Sequence, residues 1–275
     1  MDQILQAIVM GLVQGLTEFL PISSSGHHIL VPYLFGWDDP FIESLAFSVV
    51  LHAGTLAALL VYFRADWLRL VPAFFAGLRD RSFSNDPDRR LAWLLALSTI
   101  PAALIAFLLT DLVASDDFRW PGRVAVMLVI GAAILWLADK WGPRTHTIDR
   151  LTARGAVGIG LAQALALIPG VSRSGSSMSA ALFAGLDRAD AARYSFLMAT
   201  PITAMAIVYE GLKIVRGEVG GAEPVALLAG VIASFVSGIL AISVLLRYLR
   251  TRSFNVFVAY RLVLAAVVLL VFLAG

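Results

Sequence analysis

Apolar residues in this chain run in long, nearly unbroken stretches instead of alternating with polar ones. A helix needs about 20 such residues to cross a bilayer. Six stretches reach that length, at about 41–63, 91–110, 122–140, 191–213, 224–246 and 254–274. Two others are interrupted. Residues 4–20 run into Pro21-Ile-Ser-Ser-Ser-Gly26, and residues 153–168 run into Pro169-Gly-Val-Ser-Arg-Ser-Gly175. A second short apolar piece follows each, at 29–36 and 178–186. Pro and Gly break helices, and backbone freed at membrane depth must be buried in protein or line a polar cavity. The pattern predicts two re-entrant helix–loop–helix hairpins beside six transmembrane helices.

The chain also repeats itself. A shift of 149 residues, the offset from Ser23 to Ser172, places Leu12 on Leu161, Gln14 on Gln163, Leu16 on Leu165, Ser25 on Ser174 and Gly26 on Gly175. Each half reads as one hairpin followed by three spanning helices. Three is odd, so the second half lies upside down relative to the first. The expected fold is an all-α integral membrane protein with an inverted-topology repeat. It forms one membrane domain, 1–275, with repeat one at 1–145 and repeat two at 146–275. Such repeats place a site near the bilayer midplane, where the broken helices meet.

Composition agrees with a lipid setting. Hydrophobic residues make up 59% and charged residues 15%, with a mean hydropathy of +0.84. Soluble proteins average roughly 45–50% and about 25%, so lipid must cover the surplus apolar surface. Net charge is +2, with no basic stripe of the kind nucleic acid requires. The absence of cysteine removes disulfides, thiolate catalysis and Cys-ligated zinc. The first residues lack a basic segment and a cleavage site and do not read as a removed signal peptide. Counting Lys and Arg in the loops puts 15 on one side, from Arg64 to Arg252, and four on the other: Arg119, Arg123, Lys213 and Arg216. The basic side is expected to be cytoplasmic. Both termini then lie outside, the first hairpin enters from the outer face, and the second enters from the cytoplasm.

Chemistry concentrates at the two breaks. Glu18 is an ionisable group inside an apolar segment, a functional signal in its own right, and Gln14 one turn earlier shares its face. Arg173 lies among Ser172, Ser174 and Ser177, just before a short helix. Guanidinium, hydroxyls and a helix N-terminus together suit a phosphate group. Ser23, Ser24, Ser25 and His27 follow Glu18, and a serine beside a carboxylate or imidazole can become a nucleophile. The repeat shift places Ser24 on Arg173, so the two approach if the loops meet at the axis. Other polar residues read as structural: His52 as packed within an apolar helix, Arg261 as snorkelling to the interface, and Glu43, Glu210 and Lys213 as solvated near helix ends. Trp37, Trp67, Trp93, Trp120, Trp136 and Trp141 read as interfacial belts. The stretch 79–90 reads as a solvated loop.

The segments Gln14-Gly-Leu-Thr-Glu18-Phe-Leu-Pro-Ile-Ser-Ser-Ser-Gly-His27 and Pro169-Gly-Val-Ser-Arg173-Ser-Gly resemble those of the bacterial undecaprenyl-diphosphate phosphatases, the bacitracin-resistance family. The resemblance runs over essentially the whole chain. It implies hydrolysis of undecaprenyl pyrophosphate, a phosphoric anhydride, to undecaprenyl phosphate and inorganic phosphate. It further implies that Glu18, Ser24, His27 and Arg173 are catalytic, with Gln14, Ser23, Ser25, Ser172, Ser174 and Ser177 around the substrate. It also implies a divalent cation, Mg²⁺ or Ca²⁺, with Glu18 as the candidate ligand, and a site open to the outer face. Three positions depart from the family pattern: Gln14 where Glu is frequent, Ser177 where Thr is common, and His28 where an apolar residue follows the motif His. The expected partners are undecaprenyl pyrophosphate and the bilayer, with a homodimer as a candidate form and no nucleic acid. The competing reading from another class is a polyprenyl-phosphate transporter or flippase using the same cavity. A type-2 phosphatidic acid phosphatase needs His where Ser179 stands.

Overall fold

The computed structural model describes residues 2–83, 86–113, 119–215 and 223–274. The described residues form eleven α-helices and no strand. The first hairpin is α1 (Gln3–Phe19) and α2 (Ser24–Phe35); the second is α7 (Ala153–Ala164), a 3₁₀ turn (Leu165–Leu167) and α8 (Arg173–Phe183). Between and after them lie α3 (Leu45–Tyr62), α4 (Arg64–Asp80), α5 (Pro87–Val113), α6 (Pro121–Trp141), α9 (Arg188–Val215), α10 (Pro224–Tyr248) and α11 (Asn255–Ala274). Five of these (α5, α6, α9, α10 and α11) are long and apolar enough to cross a bilayer, and α3 with α4 forms a sixth, bent pair. The protein is an integral membrane protein of all-α class. Of the sequence expectations, Arg216 and the side chains of Glu210 and Lys213 lie outside the described residues.

Two boundaries differ from the sequence reading. The second arms of the hairpins begin at Ser24 and Arg173, earlier than the apolar stretches suggest, because the Ser-rich breaks are helix starts. Ser23 and Ser172 are the N-caps, and each hydroxyl accepts from the backbone N–H three residues on, Gly26 at 3.2 Å and Gly175 at 3.1 Å. The second difference is α4. It bends 85° from α3 and shows lipid-type residues such as Leu68 and Phe75 beside Arg64, Asp66 and Arg69. That amphipathic pattern suits a helix lying along the membrane surface. Trp67 and Trp93, read as belt residues, instead pack here: Trp93 stacks on Phe74 at 4.4 Å, and both indole nitrogens are buried.

The packing is reciprocal between the halves. α1 of the first hairpin packs on α10, and α7 of the second packs on α5; α3 meets α9, and α6 meets α11. Helices in lipid gain little from hydrophobic association, so close approach through small residues has to hold them together. α10 shows the division well. Leu228, Ile232, Val236 and Leu240 face outward, while Gly230, Ser234, Ser237, Gly238 and Ala241 are buried. At equivalent positions of the two first arms stand Gly11 and Gly160. A Cβ at Gly11 would fall 2.2 Å from Gly230 O, and one at Gly160 would fall 2.1 Å from Ser98 O. Gly11→Val is therefore expected to cost about 1–3 kcal/mol, read as a lower melting temperature in detergent. An unchanged melting temperature would show that α1 and α10 do not need this approach.

Candidate functional site

The two Ser-rich loops have the same backbone design. Ser23 and Ser172 both take positive φ, 76° and 78°, which is rare for a residue with a side chain. Each caps its helix, and each hydroxyl also meets that of the serine two residues on, Ser25 at 3.3 Å and Ser174 at 3.2 Å. Strain of this kind costs of order 1–3 kcal/mol and persists where the surroundings enforce it, commonly at functional sites. Its effect is to turn Ser24 and Arg173, the first residues of α2 and α8, toward each other.

Glu18, in the last turn of α1, is where they meet. Its carboxylate is buried. Oε1 accepts from Nη2 of Arg173. Oε2 accepts from the Ser24 hydroxyl at 2.5 Å and from the Gln14 amide at 3.2 Å. The other arm of the Arg173 fork donates to the Thr203 hydroxyl of α9 at 2.7 Å. Ser174 binds the first loop directly, donating to Leu20 O at 3.1 Å. Gln14, Glu18, Ser24 and Arg173 are thus brought together, although Glu18 and Arg173 are 155 residues apart.

The remaining expected residues sit around this junction in other roles. Ser23 and Ser172 spend their hydroxyls on the loop itself. Ser177 is fully buried and bonds Arg173 O at 2.8 Å and the Ser195 hydroxyl at 2.6 Å. Ser25 is half-buried and lines a cavity with Ser24. The His27 ring is placed apart from the carboxylate. Nδ1 donates to Ser23 O at 2.7 Å, which leaves Nε2 to accept from the Tyr260 hydroxyl at 2.7 Å.

Three residues read as structural, or left without a role, lie at this junction. His52, read as a packed histidine, presents Nε2 to Glu18 Oε2 at 3.5 Å, while Nδ1 donates to Ser48 O at 2.7 Å. His28 donates from Nε2 to Gln14 Oε1 at 2.8 Å, so the amide turns its NH₂ to Glu18. Arg261, read as snorkelling, is 0% exposed and donates only inward, to backbone carbonyls of α6 and both loops. Snorkelling fails because those freed carbonyls are the nearest acceptors available in a dry interior. Each of the three carried the signal that singled out Glu18, an ionisable group within an apolar segment.

A cavity of about 300 Å³ opens beside Ser24, Ser25, His28 and His52, and a neighbouring one of about 640 Å³ is lined by Tyr33, Trp37 and Asp38; His28, Glu43 and Arg119 line both. The junction therefore has a polar approach from the side where α2 ends and α3 and α6 begin. The protein alone supplies only part of a ligand set for Mg²⁺ or Ca²⁺ here, with the Glu18 carboxylate as the candidate ligand beside a substrate phosphate. Those cations take several oxygen ligands, and among the described residues no three His, Cys, Asp or Glu side chains gather as ligands. Both Glu18 oxygens are engaged, and the Gln14 oxygen accepts from His28.

Comparison with known proteins gives a match that spans both loops. A family model described as bacitracin resistance protein BacA matches residues 7–267. A protein of Gemmatimonas aurantiaca named undecaprenyl-diphosphatase is 48% identical over 263 residues, covering 96% of both chains. Proteins of the same name from Geobacter sulfurreducens and Thermomicrobium roseum are 45% and 43% identical, each covering 97% of both chains. A full-length match at this identity, with both broken-helix motifs inside it, makes this multi-pass membrane protein a member of the bacitracin resistance protein BacA family.

Proposed function

We propose that this protein hydrolyses undecaprenyl pyrophosphate to undecaprenyl phosphate and inorganic phosphate, recycling the lipid carrier of cell-wall synthesis and so conferring bacitracin resistance. The single observation that carries the reading is the Glu18 carboxylate held between the Ser24 hydroxyl of one loop and the Arg173 guanidinium of the other. The name shared by the relatives, undecaprenyl-diphosphatase, supports the substrate.

In this reading the pyrophosphate enters the polar cavity and the polyprenyl tail stays in lipid. The incoming anion draws the Arg173 fork from Glu18 to the terminal phosphate, with Thr203 still holding its other arm. Arg173 then stabilises charge on the phosphoryl oxygens, the main source of catalysis in phosphoryl transfer. Losing its counter-ion makes Glu18 a better base. Ser24 Oγ attacks the terminal phosphorus and its proton passes to Glu18 Oε2. The bond from phosphorus to the bridging oxygen breaks, and undecaprenyl phosphate leaves. Glu18 passes that proton to the departing phosphate and is free again. Water then attacks the phosphorus on Ser24 and gives a proton to Glu18, which returns it to Ser24 Oγ as that bond breaks and inorganic phosphate leaves. His52 stays beside Glu18 while Arg173 is away, its Nε2 facing Oε2 at 3.5 Å.

The reading includes an orientation: both termini outside, and the cavity mouth toward the periplasmic face, opposite the Arg-rich side. A single cysteine at Asp2, in a chain with no native cysteine, is expected to react with an impermeant thiol reagent on spheroplasts. Protection until lysis would reverse the assignment. It also includes the two inverted repeats, 1–145 and 146–275, which the reciprocal packing supports. The decisive test is phosphate release from undecaprenyl pyrophosphate by detergent-purified protein, with Mg²⁺ and again with EDTA. Release that is lost in Glu18→Ala is expected. No release from folded protein in either buffer would move the reading to a polyprenyl-phosphate transporter using the same cavity, since broken inverted hairpins also serve transport.

A further inference from the structure

We propose that Arg261 of α11 is a positioning residue that clamps the two re-entrant loops together, so that Arg173 of one stands against Glu18 and Ser24 of the other. The proposal rests on the hydrolytic reading of that junction. The guanidinium donates from Nη1 to Pro21 O at 3.3 Å in the first loop, and from Nη2 to Gly170 O at 2.8 Å and Val171 O at 2.9 Å in the second. Nε donates to Leu128 O of α6 at 3.1 Å.

The reason for a cation here is chemical. Breaking two helices inside a membrane frees carbonyls that find no water, and each must be satisfied by protein. The C-terminal ends of α1 and of the second hairpin's first arm also carry partial negative charge. One planar fork answers both needs at once. Its slot is built to size, since a Cβ at Gly131 of α6 would fall 2.0 Å from Nη2. Along the chain, Pro21 lies three residues after Glu18 and Val171 two before Arg173, so a slip at the clamp is passed directly to the reacting pair. Lysine keeps the charge, but its three donors sit on one nitrogen and cannot span acceptors in both loops and α6. The neighbouring Tyr260, bonded to His27, ties the same stretch of α11 to the start of α2.

The test compares Arg261→Lys with Val268→Ala, a fully buried position on the same helix, so that activity can be set against stability. A misplacement of about 1 Å remote from the chemistry can cost about 100-fold. Arg261→Lys is expected to lower kcat by about that factor, with KM for the lipid pyrophosphate changed by less than about threefold. Gly131→Ala, which crowds the guanidinium but keeps it, is expected to do the same. Val268→Ala is expected to lower the melting temperature with little change in kcat. A single cysteine at Ala166, on the cavity wall, is expected to label faster in Arg261→Lys than in the parent, reporting loop geometry without any turnover. The clamp is overturned if Arg261→Lys retains kcat, or if its kcat falls only in step with melting temperature while labelling stays unchanged. Failure of the hydrolytic reading is distinct: the parent protein then releases no phosphate, and the labelling rates alone decide the clamp.

Discussion

Arg173→Ala is expected to lower phosphate release by about 10³-fold or more, the scale on which a phosphate-facing arginine contributes to phosphoryl transfer, while the protein still folds and inserts. The arginine opens the short helix α8 and is held by Thr203 and Glu18. Its side chain is 22% exposed and that of Glu18 is 3% exposed, so the pair sits at the edge of the dry interior with the guanidinium on the accessible side. Breaking a fully buried ion pair costs about 3–5 kcal/mol. Partial exposure of Arg173 lowers that figure, and Glu18 keeps Ser24, Gln14 and His52 as partners. The loss of activity is therefore expected to exceed any loss of folded protein. Arg173→Lys separates charge from geometry. It keeps the charge but loses the fork that reaches Thr203 and a phosphate together, and is expected to fall between the alanine variant and the parent. Single-turnover phosphate release, with melting temperature on the same preparations, reads both quantities. Parent-level turnover in Arg173→Ala would remove the anion cradle from the mechanism.

Glu18→Gln has the second largest expected effect, a loss of about 10²–10⁴-fold, the usual contribution of a positioned general base. The amide preserves the side chain's shape and can still meet Ser24, but it cannot take the hydroxyl's proton. Its NH₂ also adds a donor where Arg173, Ser24 and Gln14 already supply three. A specific signature follows if Glu18 acts through Ser24, because residues that work as one unit lose activity non-additively. Ser24→Ala alone, Glu18→Gln alone and the double variant should then be slowed to a similar level. A double variant slowed by the product of the single effects would mean that Ser24 and Glu18 act independently, with Ser24 serving only to contact phosphate. Acid quench of the parent during turnover should trap phosphate on Ser24, and water as the direct nucleophile would leave none.

The substitutions at Gln14 and His28, met in sequence as separate departures from the family pattern, are one feature in the structure. A carboxamide at 14 can donate to Glu18 with one end and accept from His28 with the other. A carboxylate there would set two like charges against each other. The pair holds Glu18 by neutral hydrogen bonds in place of a second acid.

Much of the architecture could be read locally. The membrane class and the positions of the spanning helices follow from apolar length, because about 1.5 Å of rise per residue must fill a hydrocarbon layer about 30 Å thick. The two hairpins follow from Pro, Gly and Ser at the breaks, because those residues act on their own backbone within one turn. Glu18 and Arg173 could be found because an ionisable group in an apolar segment needs a reason. The bend into α4 was missed, since an amphipathic helix on the membrane surface looks like a short loop when only spanning length is sought. What periodicity cannot supply is the identity of the neighbour across an interface. It places His52 and Arg261 on a helix face without saying what that face meets. Only the tertiary structure decided that His52 turns to Glu18, that His27 turns to Tyr260 across 233 residues, and that Arg261 reaches Pro21 across 240. Those partners were chosen by the freed carbonyls and buried charge of the broken helices, which must be satisfied by whatever side chain the fold brings near, at any distance along the chain.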